Sequence, residues 1–276
     1  GLDLSELSPE VPTMAALATD AGFRTAFFAR NSYLGFGLER GFETFENPRK
    51  HNAGKQVDRA LEWLGTVGGD ERFLMVLHFM DVHAPSISAS ADRALFPAVA
   101  DLDKAAYLQA RKFHRKHARK PPEKVKDFEQ VHDRRVGTYD ASIHFMDRHI
   151  KRLLEGLGER RERTLIIFTA DHGEEFWDHN ALERELYKDP RGIYGIGHGH
   201  TFFEEVVRVP LLLSHPSLTP AVESGRASLV DLMPTVLDAL DIPFDGPTAG
   251  RSLLEGPPPA DRDIVFDAVA FGADKQ

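Results

Sequence analysis

The chain is 276 residues long and 42% apolar, enough to bury the core of one large α/β domain or two small ones. A formal charge of -9 argues against general attraction to nucleic acid or anionic lipid, and no apolar run approaches the roughly 18 residues that would mark a membrane span. The absence of cysteine excludes disulfides, thiolate zinc sites and a cysteine nucleophile within these residues, while leaving the compartment open.

The first elements come in quick order. The stretch LSPEVPTMAALATDAGFRTAFFAR reads as a loop, a short helix over 13–21 with Gly22 as its C-terminal cap, and a strand over 24–29. Such an opening looks like the middle of a domain, so a first strand and its following loop are expected upstream of Gly1. AGKQVDRALEWLGTV (53–67) predicts a helix with Val57, Leu61 and Leu64 on one face. RFLMVLHFMDVH (72–83) is an almost continuous apolar run, as in strands covered on both sides.

From Arg111 to Lys126 the chain is dense in Lys and Arg, interrupted by Pro121 and Pro122. It reads as a solvated helix and turn within a basic insertion over 100–135, with an anion-guiding patch as the alternative. GTYDASIHFMDRHIKRLLEGL (137–157) places Tyr139, Ile143, Met146, Ile150, Leu153 and Leu157 on one helix face. TLIIFTA (164–170), RVPLLLS (208–214) and DIVFDA (263–268) are strand candidates, and LVDLMPTVLDAL (229–240) a helix bent or restarted at Pro234. This alternation predicts a single α/β domain over 1–276: a mostly parallel central sheet with helices on both faces, its amino-terminal strand lying outside the sequence.

Polar clusters stand at two strand ends, where ligands bind in doubly wound sheets: Asp81 and His83 after the second strand, Asp171 and His172 after TLIIFTA. A carboxylate and an imidazole side by side suit manganese, zinc or iron, and Gly173 is expected to ease the turn that lets both face one cation. The same Asp-His-Gly triplet could instead be a turn capping a helix. Favouring the metal reading is the tract GIGHGHTFFEEVVRVP, whose histidines lie among glycines before another strand. His78 reads as a core histidine or one supporting the site, and His51, His114, His117, His132, His144 and His149 as surface or helix-face residues.

VLHFMDVHAP, FTADHGEEFWDH, GHGHTFFEEVVRVPLLL and SLVDLMPTVLDALDIP, in this order and at this spacing, resemble the sulfatases of the alkaline phosphatase superfamily. TMAALATDAGFRTAFFARNSYL and GFGLERGFETFE extend the resemblance over nearly the whole chain. It implies that Asp171 and His172 bind a divalent metal, calcium or manganese with zinc as a further candidate. It also implies that His83 and His198 contact the transferred group and act in catalysis, that His179 is catalytic, and that His200 neighbours the substrate. His172 stands where calcium sulfatases mostly have Asn, a departure shared with phosphonate monoester hydrolases and phosphodiesterases of the superfamily. Val82 replaces a usual proline.

The implied reaction is hydrolysis of a small-molecule or saccharide sulfate ester, with phosphonate or phosphodiester hydrolysis or phosphoryl transfer as the alternative. Neither nucleic acid nor a membrane segment is expected. Family nucleophiles arise from Cys or Ser in a Cys/Ser-x-Pro/Ala-x-Arg motif absent here, so the nucleophile is expected upstream; a non-enzymatic homologue is the third reading.

Overall fold

The computed structural model describes residues 7–31, 34–110, 115–187, 189, 191–266, 268–270 and 273–275. Helix α1 (Met14–Asp20) begins where Thr13 accepts a hydrogen bond from the Ala16 amide at 3.1 Å and ends before Gly22 at φ 82°, a left-handed conformation that glycine adopts without strain. It leads into β1 (Arg24–Ala29), the centre of a three-stranded parallel sheet between β2 (Thr44–Glu46) and β3 (Phe73–His78). Between them runs α2 (Ala53–Leu64), capped by the Asn52 side chain.

Alternation along the strands sends successive side chains to opposite faces, and helices cover both. Ala26, Phe28, Phe73, Met75 and Leu77 pack with Val57, Ala60, Trp63 and Leu64 of α2 and with Leu153 and Leu157. On the other face, Leu74 and Phe23 meet Ala18 of α1 and Leu237 of a later helix. Burying side chains of this size stabilises by about 1.5–3 kcal/mol each, which makes this sheet a firm base for the loops that leave its strand ends.

Four short helices come next, α3 (Ser90–Arg93), α4 (Pro97–Ala100), α5 (Lys104–Ala110) and α6 (Arg115–Ala118), and lead to the long α7 (Phe128–Gly156). Residues 111–114 of the basic stretch lie outside the described residues. Arg119, Lys120, Lys124 and Lys126 are solvated as expected, yet Ala118 is fully buried and its carbonyl accepts from the Tyr194 amide at 3.1 Å. α7 starts nine residues before the expected position 137; it packs on α3, α4 and α5, with Gly137, Thr138 and Ala141 buried and Ile143 exposed.

The expectation of one mostly parallel sheet is corrected. β4 (Ile166–Thr169) pairs antiparallel with β7 (Leu211–Ser214) in a separate two-stranded sheet. The register joins Thr169 to Leu211, so the chain leaves β4 and re-enters β7 at the same end, which forces opposite directions. Between the two lie β5 (Glu175–Phe176), α8 (Asn180–Leu186), β6 (Ile196–Gly197) and α9 (Glu204–Val207), with β5 and β6 antiparallel. α10 (Leu232–Ala239) comes after a 3-10 turn over Leu229–Asp231, so Pro234 sits in its first turn, where a missing amide costs nothing. The strand expected over 263–268 does not form: 263–266 lack regular structure, Val265 is exposed, and the hairpin of β8 (Ala268–Ala270) and β9 (Ala273–Lys275) comes next. Among the described residues no helix is long and apolar enough to cross a membrane.

Candidate active site

Three connections converge. His83 lies beyond β3, His172 beyond β4, and His198 directly after β6; the His172 and His198 rings stack at 3.7 Å, and His83 meets His198 edge to face at 5.1 Å and His172 at 6.5 Å. Segments far apart along the chain thus bring three imidazoles together, in keeping with their strand-end positions.

Each ring is held by its Nδ1 atom. His172 Nδ1 lies 2.8 Å from the Gly173 carbonyl and His83 Nδ1 2.8 Å from the Ala84 carbonyl. A carbonyl only accepts, so both rings carry their proton on Nδ1 and keep the Nε2 lone pair when neutral. His198 Nδ1 instead faces a carboxylate, Glu174 Oε2, at 2.8 Å, and Glu174 Oε1 accepts from Arg135 Nη2 of α7 at 3.3 Å. Burial raises the Glu174 pKa, but His198, Arg135 and His83 outweigh it and hold the carboxyl below its ordinary value. Burial lowers the His83 pKa, aided by its imidazole neighbours and opposed by Ala84 and Glu174, which favours the neutral ring.

Asp171 is the exposed member of the group. Its Oδ2 lies 3.8 Å from His78 Nε2 and its Oδ1 3.7 Å from His172 Nε2. The His78 ring, with His172 adding to it, brings the Asp171 pKa down to about 2 against the effect of burial, so the carboxylate is ionised at all ordinary pH. An ionised oxygen and an imidazole lone pair at this spacing fit two donors sharing one cation. His172, Glu174 and His198 also place one donor atom each within 4.8 Å of one another. Both Glu174 oxygens accept from charged or imidazole side chains. Among the described residues Asp171 Oδ1 accepts only from the His172 amide at 3.1 Å, and its side chain is far more exposed, so Asp171 and His172 hold the more available lone pairs.

The backbone here depends on small residues, though not for the reason expected. Gly173 has no positive φ; a Cβ on it would lie 2.0 Å from the Glu205 carbonyl oxygen, so the position requires space for the amide of Gly173 to donate to Val206 and that of Glu174 to Glu205. Gly195, Gly197 and Gly199 do adopt positive φ, which lets the tract around His198 reverse at alternate residues.

Other expected residues are placed differently. Asp81 turns away from the histidines: fully buried, its Oδ2 accepts from the Ala53 amide at 2.9 Å and so caps the α2 amino terminus. The His179 ring is held by Glu205, at 2.5 Å from Nδ1, and stacked on Phe203, and Glu205 raises its pKa. His200 is 1% exposed, with Nε2 3.5 Å from Glu175 Oε2 and 3.5 Å from Glu183 Oε1, so it faces these two carboxylates in the interior. His144 binds Asp92 at 2.8 Å, and His114 lies outside the described residues. Sequence reasoning left Arg135, Glu174 and Glu205 without roles. Glu174 stands in the motif FTADHGEEFWDH three residues after Asp171, but Arg135, distant in sequence and set in a charged helix, carries no signal.

The family model described as Sulfatase matches residues 3–242. The "Uncharacterized sulfatase YidJ" of Escherichia coli (strain K12) is 25% identical over 205 residues, 71% of this chain and 37% of that protein. The choline-sulfatase of Rhizobium meliloti (strain 1021) is 29% identical over 109 residues, 39% of this chain and 18% of that protein. The chain therefore spans less than two-fifths of the length of either curated relative. Among solved structures, BT4656 in complex with its substrate D-glucosamine-2-N,6-O-disulfate superposes with a TM-score of 0.68 at 18% identity, covering 98% of this chain and 70% of that one. The phosphonate monoester hydrolase SpPMH from Silicibacter pomeroyi gives 0.61 at 17% identity, covering 94% and 64%.

Proposed function

On the premise that the chain belongs to the sulfatase family, we propose that it forms the leaving-group and metal-binding part of a divalent-metal-dependent hydrolase of sulfate esters. The observation that carries the reading is the convergence of His83, His172 and His198 beside the ionised Asp171. Asp171 Oδ1 and His172 Nε2 would hold the ion, which would supply positive charge for the nonbridging oxygens of the ester. His198 would give its Nε2 proton to the departing oxygen, with Glu174 at Nδ1 fixing the ring and stabilising its charged form. Arg135 holds Glu174 in turn and is a positioning residue. His83, its Nδ1 proton committed to the Ala84 carbonyl, would turn its Nε2 atom toward the ester and could donate to an ester oxygen from there only once protonated. His179 is assigned a positioning role through Glu205, whose carbonyl accepts from the Glu174 amide.

With no cysteine in the chain and no Ser in the family motif, the nucleophile is proposed to come from residues outside this sequence. The substrate would be a small or saccharide sulfate ester; the sugar disulfate described with BT4656 supports the saccharide class. A second reading, phosphonate or phosphodiester hydrolysis, is favoured by the imidazole donor of His172 and by the likeness to SpPMH. Turnover of paired aryl sulfate and aryl phosphodiester substrates by the complete gene product, with metal analysis, separates the two. Preferential sulfate cleavage is expected, with one equivalent of metal fewer in Asp171→Ala than in the parent; an unchanged metal stoichiometry in that variant would remove Asp171 from the ligands.

A further inference from the structure

A second group of potential donors is fully buried. Glu175 on β5, Glu183 on α8 and His200 after β6 are all essentially sealed from solvent, at 0%, 0% and 1% side-chain exposure. His200 Nε2 stands 3.5 Å from Glu175 Oε2 and 3.5 Å from Glu183 Oε1, and the three donor atoms lie within 4.8 Å of one another. The other oxygen of each carboxylate serves the backbone: Glu175 Oε1 accepts from the His179 amide at 3.3 Å, and Glu183 Oε2 from the Gly195 amide. Glu175 Oε2, aimed at the centre of the group, has no hydrogen-bond partner among the described residues.

Buried carboxylate oxygens without partners are rare because the lost hydration is not returned, and a bound ion is one of the few things that returns it. We propose that Glu175, Glu183 and His200 form a structural site for a divalent cation of the zinc type, separate from the Asp171–His172 pair. Donors held 2.0–2.2 Å from a tetrahedral ion stand about 3.4 Å apart, close to both spacings from His200. Two carboxylates and a divalent ion sum to zero with the imidazole neutral, whereas a proton bridging the three would leave net negative charge in a dry interior. The ion would pin β5 and α8 to the tract that carries His198, two residues before His200.

The test uses the complete chain stripped with chelator, reloaded with zinc alone or calcium alone, and assayed for bound metal and melting temperature. Asp171→Ala, at an exposed residue, should keep about one zinc per chain and a zinc-dependent rise in melting temperature, since a structural metal stabilises the folded state that binds it. Adding Glu183→Gln should abolish both. Because the replacement itself could loosen the fold, X-ray absorption of zinc in Asp171→Ala gives a second measure: oxygen and nitrogen neighbours with one imidazole are expected. Asp171→Ala retaining no zinc, or calcium replacing it with equal stabilisation, would overturn the site while leaving the Asp171–His172 assignment intact.

Discussion

Arg135→Met isolates the buried ion pair behind His198. The Arg135 side chain is 4% and the Glu174 side chain 8% exposed, with Nη2 and Oε1 3.3 Å apart. Methionine fills much of the space of the arginine stem but removes the charge. Breaking one partner of a buried pair costs about 3–5 kcal/mol, and because Glu174 keeps His198 at 2.8 Å, the lower end, ~3 kcal/mol, is expected. For a chain of 276 residues, an unfolding entropy of about 2.1 cal/mol/K per residue converts this to a melting-temperature drop of about 5 °C.

Urea titration monitored by circular dichroism measures the loss, and a cycle with Glu174→Gln assigns its cause. If the penalty is the stranded carboxylate, Arg135→Met/Glu174→Gln should recover at least about 1 kcal/mol relative to additivity, as contacting residues couple. Strict additivity, or a single-variant loss below about 0.5 kcal/mol, would refute the buried-pair account.

Two further perturbations probe different parts of the scaffold. Gly173→Ala places a Cβ 2.0 Å from the Glu205 carbonyl, a backbone atom that cannot swing aside; a destabilisation of about 2–3 kcal/mol by urea unfolding is expected, and parent-like stability would show that the segment yields. Asp231 is fully buried and accepts from Arg262 at 2.7 and 3.0 Å, from Ser228 at 2.8 Å and from Arg251 at 3.0 Å. Burial raises its pKa, but these donors outweigh it and hold the carboxyl below its ordinary value. Its contribution is therefore present above the unfolded value of about 3.9 and lost as pH falls through the folded one. Asp231→Asn should unfold earlier than the parent at pH 7, with the gap closing as the pH drops below about 4; a gap independent of pH would contradict the linkage.

Much of the molecule is legible along the chain because it rests on local rules. β1 over Arg24–Ala29, the end of α1 at Gly22 and the α2 and α7 faces around Leu64 and Leu153 arise from periodicity and capping chemistry. The placing of polar groups at strand ends led to His83 and His172, the glycine-flanked tract before β7 to His198, and the motif order to the family. Pairing across distance is not carried by the amino-acid order. Strand patterns are the same whether a neighbour runs parallel or antiparallel, so β4 with β7 is decided by where the intervening segments return the chain. A carboxylate can face a ligand, a helix amide or an arginine. Only packing sent Asp81 to the α2 amino terminus, Glu174 to Arg135 and His198, and His200 into the interior, because each polar group takes whichever partner the folded chain brings within hydrogen-bond reach.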